Sequence, residues 1–360
     1  MEQLTRDESC KKSTPEHHHC ARNPRWHALG VVVHGSNSTC VCDSAKRLSR
    51  WHDTHVATAA RSKGEDLVHQ LRDSLGDALR ERVVGPRADE RAAEIMDAPG
   101  ERWFDMDRPI RIVHSDATMF IGGLRALLVQ ALHPLAMAGV AQHSDFRNDP
   151  WGRLQRTADF LAATTFGPAD LAAATIARIN HVHSFVKGTT TDGIPYSARD
   201  PHLLRWVHVV EAESFLSTYQ RYGARKLTQS ERDGYVEDMA RIASELGVTA
   251  PPRSERALRD QLNMFRGELR TTEESRDAVR YLLLEPPLEY PARAAYGVLA
   301  AATIATLPRW SRPLLQLPYL PLTERAVLRP LGQAVTSAFR WITQPTSPFQ
   351  RAADDIDTRA

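Results

Sequence analysis

From Gly64 to about Ile342, apolar residues return at intervals of three and four, and strand-forming residues are nowhere concentrated. That spacing puts them on one side of an α-helix, so the chain is expected to fold as an all-α protein. The signal is clearest in residues 168–188, where Ala172, Ile176, Ile179, His183 and Val186 make a single stripe. His183 is therefore expected to point inward. His181 lies about 160° away around the helix and does not share its direction. Two readings of His183 are open. A buried neutral histidine with two hydrogen bonds is the commoner, but an imidazole bound to iron needs the same neutral, buried ring.

Other helices can be read from their ends. EDLVHQLRDSLGDALRERVVG places Val68, Leu71, Leu75 and Leu79 on one face, and Gly85 with Pro86 can stop it. Ser115 or Asp116 can cap an apolar helix over about 117–132. Gly122 and Gly123 inside that helix point to close approach by another helix or by a flat ligand. Asp149 and Asp200, each followed by proline, mark two further starts. Gly188 reads as the residue that ends the 168–188 helix. Beyond the break at Pro251 and Pro252 come two helices separated at Gly267, an Ala-rich helix over 294–307, and closing helices near 323–329 and 334–342.

At 360 residues the chain can build one large helical domain. A net charge of +2 gives no electrostatic reason to expect a nucleic-acid partner. All four cysteines, Cys10, Cys20, Cys40 and Cys42, precede residue 43, so no disulfide framework can staple the helical region. Cytoplasmic folding is the expectation. No run reaches the ~18 uninterrupted apolar residues of a membrane span, so membrane contact is expected to be peripheral at most, through the 294–307 helix. The division expected is a poorly ordered or loosely packed extension over 1–60, a single helical domain over 61–345, and a mobile tail over 346–360. His17, His18, His19 and Cys20 lack the paired CxxC spacing of a structural zinc site and are read as part of the extension.

Two segments hold the polar residues of interest. In the first, Arg153, Thr157, Phe160 and Thr164 recur on one face, with Arg156 at its edge. Such an arginine is ordinarily a salt-bridge residue; it gains meaning if the face must also hold an anion. In the second, Leu204, His208, Glu211, Phe215 and Thr218 share a face, with His208 and Glu211 one turn apart. Two ligands are too few to identify a metal, and Glu211 could instead orient His208. A diiron or zinc site drawing on His133, His143, His183, His208 and Glu211 is a competing arrangement. The repeated ExxH pairs of diiron carboxylate bundles are missing, however.

The ordered motifs GGLRALLVQALHPLAMAGVAQHSDF, DPWGRLQRTADFLAATTFG, HVHSFVKG and DPHLLRWVHVVEAESFL resemble the DUF2236 family, which includes the latex clearing proteins (rubber oxygenases) and the mpaB-type oxygenases. The resemblance is strongest over 106–223 and extends over about two-thirds of the chain. It implies a globin-like helical core holding non-covalent haem b, with His183 matching the proximal iron ligand. It also implies that Arg153 and Thr157 lie near bound oxygen or the haem edge, because Arg153-x-x-Arg156-Thr157 is similar to the family's Arg-x-x-Lys-Thr. Arg156 stands where the rubber-cleaving members have a lysine able to ligate iron. Arginine surrenders a proton far less readily, so that ligation is not carried over. Nor is polyisoprene cleavage, since Leu132–Asp149 contains no glutamate to match the family's distal base; His143 and Asp145 are the nearest polar residues. His143 or His208 could then relay a proton. The expected function is a haem-dependent oxygenase using dioxygen or peroxide, an apolar organic substrate and an electron donor. Two other classes stay open: a haem or electron-transfer protein without oxygenation, and a haem-free helical protein binding a lipid or a partner.

Overall fold

The computed structural model describes residues 67–290 and 292–343. The expectations for 1–60 and 346–360, including the cysteines and the histidine run, fall outside the described residues. Within them the chain is all-α apart from one short hairpin.

The helices are α1 (67–84), α2 (Ala88–Met96), α3 (Pro109–His114), α4 (Thr118–Gln130), α5 (Pro134–His143), α6 (Pro150–Phe166) and α7 (Ala169–His183). Strands β1 (Lys187–Thr189) and β2 (Pro195–Ser197) follow, then α8 (Pro201–Tyr222), α9 (Gln229–Glu245), α10 (Glu255–Met264) and α11 (Glu273–Leu284). The remainder is α12 (Ala292–Thr306), the short α13 (Ser311–Leu314) and α14 (Pro321–Thr323), a π-helical stretch Glu324–Leu328, and α15 (Arg329–Thr343). Asp149 and Asp200 cap α6 and α8 as their sequence suggests. Asp149 accepts from the Gly152 amide and Asp200 from the His202 amide, with Pro150 and Pro201 just inside.

Helix α8 is the axis of the fold. It packs against α3, α4, α5, α9, α10, α12 and α15, and Trp206, Val209, Val210, Phe215, Tyr219 and Tyr222 along it are buried. The α4–α8 crossing is close because Gly122 carries no side chain. A Cβ there would stand 2.8 Å from Phe215 Cδ1 and 3.3 Å from Phe215 Cα. Gly122 thus serves the helix crossing, while Gly123 faces open space. An ion pair crosses the same interior. Arg125 of α4 is 2% exposed, and its guanidinium donates to both carboxylate oxygens of Glu213, to Ser214 Oγ and to the Thr306 carbonyl.

Two details differ from the sequence reading. First, α7 stops at His183 rather than running to Gly188. Lys187–Thr189 pairs antiparallel with Pro195–Ser197, so Gly188 sits opposite Tyr196 in a strand. The reversal uses Gly193 at φ +80°, and the Asp192-Gly193 dipeptide is the turn signal that the helical stripe masked. Second, the apolar face of α1 is not buried. Val68, Leu71 and Leu75 are 50%, 57% and 43% exposed, and the helix turns Gly76 toward α15, where its Cβ position lies 2.9 Å from the Ile342 carbonyl. Among the described residues no single helix is long and apolar enough to cross a membrane; α4 and α5 together reach that length but are bent by 107°.

Candidate functional site

Helices α6 and α7 form an antiparallel pair joined at Gly167-Pro168. At 1.5 Å per residue, Arg153 lies about 21 Å and His183 about 22 Å from that joint. The two residues therefore lie at the helix ends remote from the joint. Burial follows the same axis on both helices. Thr164 and Thr165 on α6, and Ala172 and Ile176 on α7, are buried near the joint, whereas Phe160, Arg153, Ile179 and His183 are half-buried.

The C-terminal end of α5 and the β-hairpin lie at these ends. Arg153 Nη1 donates to Ser144 Oγ. His143, exposed, places Nε2 3.2 Å from the Lys187 carbonyl, and Tyr196 Oη donates to Gln142 Oε1 at 2.6 Å. A cleft of about 320 Å³ beside Ser144 is lined by Met137, Ala141, Phe146, Arg147 and Asp277 among others.

His183 is held neutral, because burial lowers its pKa below the usual histidine value. Its Nδ1 is sealed from solvent and meets no hydrogen-bond partner among the described residues. His181, by contrast, is exposed and lies edge-on to Phe185. Burial lowers the pKa of the Arg153 guanidinium, with the nearby Arg156 charge adding to the effect. Among the described residues Arg153 has no carboxylate within ion-pair distance, an unusual state for a desolvated cation. Arg156 and Thr157 look outward. Arg156 pairs with Asp149 at 3.1 Å, and Thr157 Oγ1 donates to the Arg153 carbonyl at 3.0 Å. Thr157 must rotate that proton away to donate to anything else, while its oxygen stays free to accept.

A second group of polar side chains lies deeper. His208 is buried, with Nε2 unpartnered, and burial pushes its pKa down to about 4. Glu211, one turn on, keeps some accessible surface, yet burial raises its carboxyl to about 7. The carboxyl is thus desolvated although part of the residue's surface stays accessible. Glu211 in turn opposes ionisation of Tyr235, whose pKa burial already raises. The Tyr235 hydroxyl stands 3.5 Å from Nε2 of His114, and His114 Nδ1 hydrogen-bonds with Thr165 Oγ1 at 2.8 Å. Burial pushes His114 down to about 3. Sequence reasoning passed over His114 and Tyr235: α3 is too short to show periodicity, and Tyr235 is 121 residues away from His114.

Glu211 predicts a pH dependence. Its carboxyl titrates at about 7 in the folded chain against an ordinary 4.5. Between those values the folded chain keeps a proton the unfolded chain has lost. The contribution is complete below pH 4.5, declines as pH rises, and is gone by about pH 7; its size is on the order of 3 kcal/mol. Glu211→Gln should therefore gain stability relative to the parent across that window and hold the gain above it. Urea midpoints measured from pH 4.5 to 8 check this. His208 and His114 act in the opposite sense below pH 6.5 but cancel in the comparison, so a flat difference would place Glu211 in bulk water.

The competing five-residue metal arrangement is not assembled as such. His133 instead approaches His202 and Glu268, with one ligand atom from each lying within 4.8 Å of the others. His202 and Glu268 were not singled out in the sequence, where they stand 66 residues apart without a motif.

Residues 110–341 match the family described as ER-bound oxygenase mpaB/B'/rubber oxygenase, catalytic domain. No curated protein matches the chain, and neither does any solved structure.

Proposed function

The chain belongs to the mpaB/rubber oxygenase catalytic-domain family, and from that membership we propose that it is a haem b-dependent oxygenase. Its substrates are dioxygen or peroxide and an apolar organic molecule, with an electron donor where dioxygen is used. One observation carries the reading: an unpartnered neutral imidazole and a desolvated guanidinium without a carboxylate stand at the ends of α7 and α6 remote from their joint.

These residues fit the cofactor. His183 offers a neutral ring whose polar atoms the protein leaves unsatisfied, as an iron ligand requires. The missing acceptor at Nδ1 departs from the usual habit of haem ligands, which donate that N–H to a carbonyl or carboxylate. Arg153 would compensate the negative charge of a propionate or hold a developing anion. When bound, haem supplies the one-electron and oxygen chemistry that no side chain of this chain can.

The chain's own part is positioning and proton handling. Glu211, with a carboxyl titrating near 7, can hold or release a proton at neutral pH. His208 stays neutral there and offers one N–H donor and one acceptor nitrogen. His143, at the exposed end, is placed to pass protons between those helix ends and solvent. Arg156 and Thr157 act from the outer face, by setting Asp149 and by bonding the α6 backbone.

The test is to express the full chain with haem supplied and measure pyridine haemochrome and visible spectra. Stoichiometric haem b with an imidazole-ligated spectrum is expected. A haem-free preparation that develops no Soret shift on adding haemin would remove the proposal.

A further inference from the structure

We propose that His133, His202 and Glu268 form a second, non-haem site for a divalent first-row transition cation. The case begins with His133. Its ring is 2% exposed, packed between Trp206 and Phe265, and neither ring nitrogen meets a hydrogen-bond partner. A buried imidazole normally satisfies at least one nitrogen. Here Nε2 lies 3.4 Å from Oε2 of the Glu268 carboxylate, out of line for a hydrogen bond, and the same oxygen lies 2.8 Å from His202 Nε2. All three ligand atoms fall within 4.8 Å of one another.

The 3.4 Å separation of His133 and Glu268 suits a shared ion as it stands, and the 2.8 Å hydrogen bond from His202 would open to admit one. Two ligands at the ~2.0–2.2 Å bond lengths of zinc, arranged tetrahedrally, stand about 3.3–3.5 Å apart. Two imidazoles and one carboxylate are a recurrent set for borderline divalent metals and leave a position open for water. His202, half-exposed in the first turn of α8, has the freedom to close the remaining span.

The backbone pre-organises the set. Pro134 holds His133 in an extended conformation at the start of α5, at φ −90° and ψ 116°. The Arg270 amide donates to the Leu132 carbonyl at 3.0 Å, fastening the segment after Glu268 to the residue before His133. Asp200 and Pro201 set the first turn of α8 that carries His202. The site thus joins the α4–α5 junction, the start of α8 and the end of α10. It uses none of the residues proposed for haem, and His202 stands about 9 Å from His208 along the α8 axis.

The test uses the full chain, stripped with chelator and titrated with Zn2+ alone by calorimetry, beside His202→Ala and Glu268→Gln. Both substitutions fall on half-exposed side chains and spare buried His133. Because His17, His18, His19 and the four cysteines could take up zinc themselves, the parent-minus-variant difference is the measured quantity. The expected result is a Zn2+ equivalent present in the parent and missing from both variants, with a Zn2+-dependent rise in melting temperature that also disappears. Haem content should be unchanged in all three, which separates this site from the haem reading. Equal zinc stoichiometry in parent and variants, or parent binding weaker than millimolar, would overturn it.

Discussion

Replacing His183 by alanine should leave the helices intact and weaken haem retention by on the order of 100-fold or more, since loss even of groups supporting a metal ligand costs 10–100-fold. His183 is the last residue of α7 and only half-buried, and its Nδ1 bonds to nothing among the described residues. Truncation strands no donor and opens no sealed cavity, so stability should change by less than about 1 kcal/mol. Haemochrome content and the Soret band report the first effect, and far-UV circular dichroism with urea unfolding the second. Added imidazole should restore part of the spectrum by refilling the vacated ligand position. His208→Ala is the informative companion, because His208 also presents a buried, unpartnered nitrogen. If haem survives loss of His183 and disappears with His208, the ligand belongs to α8.

Glu213→Ala should destabilise the fold by about 3–5 kcal/mol, the typical consequence of leaving a buried charge without its partner. Arg125 reaches Glu213 Oε2 at 2.6 Å and Oε1 at 3.0 Å, Ser214 Oγ at 2.6 Å and the Thr306 carbonyl at 3.1 Å. Three helices, α4, α8 and α12, meet in that one guanidinium. Without the carboxylate, Arg125 keeps two neutral acceptors and an uncompensated charge. A lowered urea midpoint with an unchanged denaturant slope would mark this as lost stability. Arg125→Met combined with Glu213→Leu should recover much of the loss, because an apolar pair of similar size removes the stranded charge.

Helices α6 and α8 and their caps were legible because periodicity and the Asp-Pro starts act within a few residues, whereas α2, α3, α5 and α9 were not read as helices. The α6 and α7 stripes were legible for the same reason: the spacing put His183 on an inward-facing stripe and Arg153 on a mixed polar and apolar face. The end of α7 was misjudged because Val186 continues the helical spacing by accident, while the Asp192-Gly193 turn pulls Lys187–Thr189 into a strand. For α1 the pattern was real but the burial was not: Gly76, not the leucines, is the residue that meets α15. Of the deeper polar group, His208 and Glu211 show in the sequence as a pair one turn apart, but His114 and Tyr235 do not. His114 meets Thr165 across 51 residues and Tyr235 across 121, and no local pattern encodes such meetings. The same holds for His202 and Glu268. His133 was visible as a residue, but its partners depend on how α8 and α10 pack.

The contact between Gly122 and Phe215 limits how this molecule can breathe. With less than a methyl group's clearance between the two backbones, α8 cannot slide or roll past α4 without a clash. Any opening of the fold therefore cannot rely on loosening the central helices. The yielding parts are those that end in free space: the tips of α6 and α7, the last turn of α5 and the small hairpin after them. Flexibility is thus concentrated in that rim, and the length and stiffness of the hairpin set how far it can move.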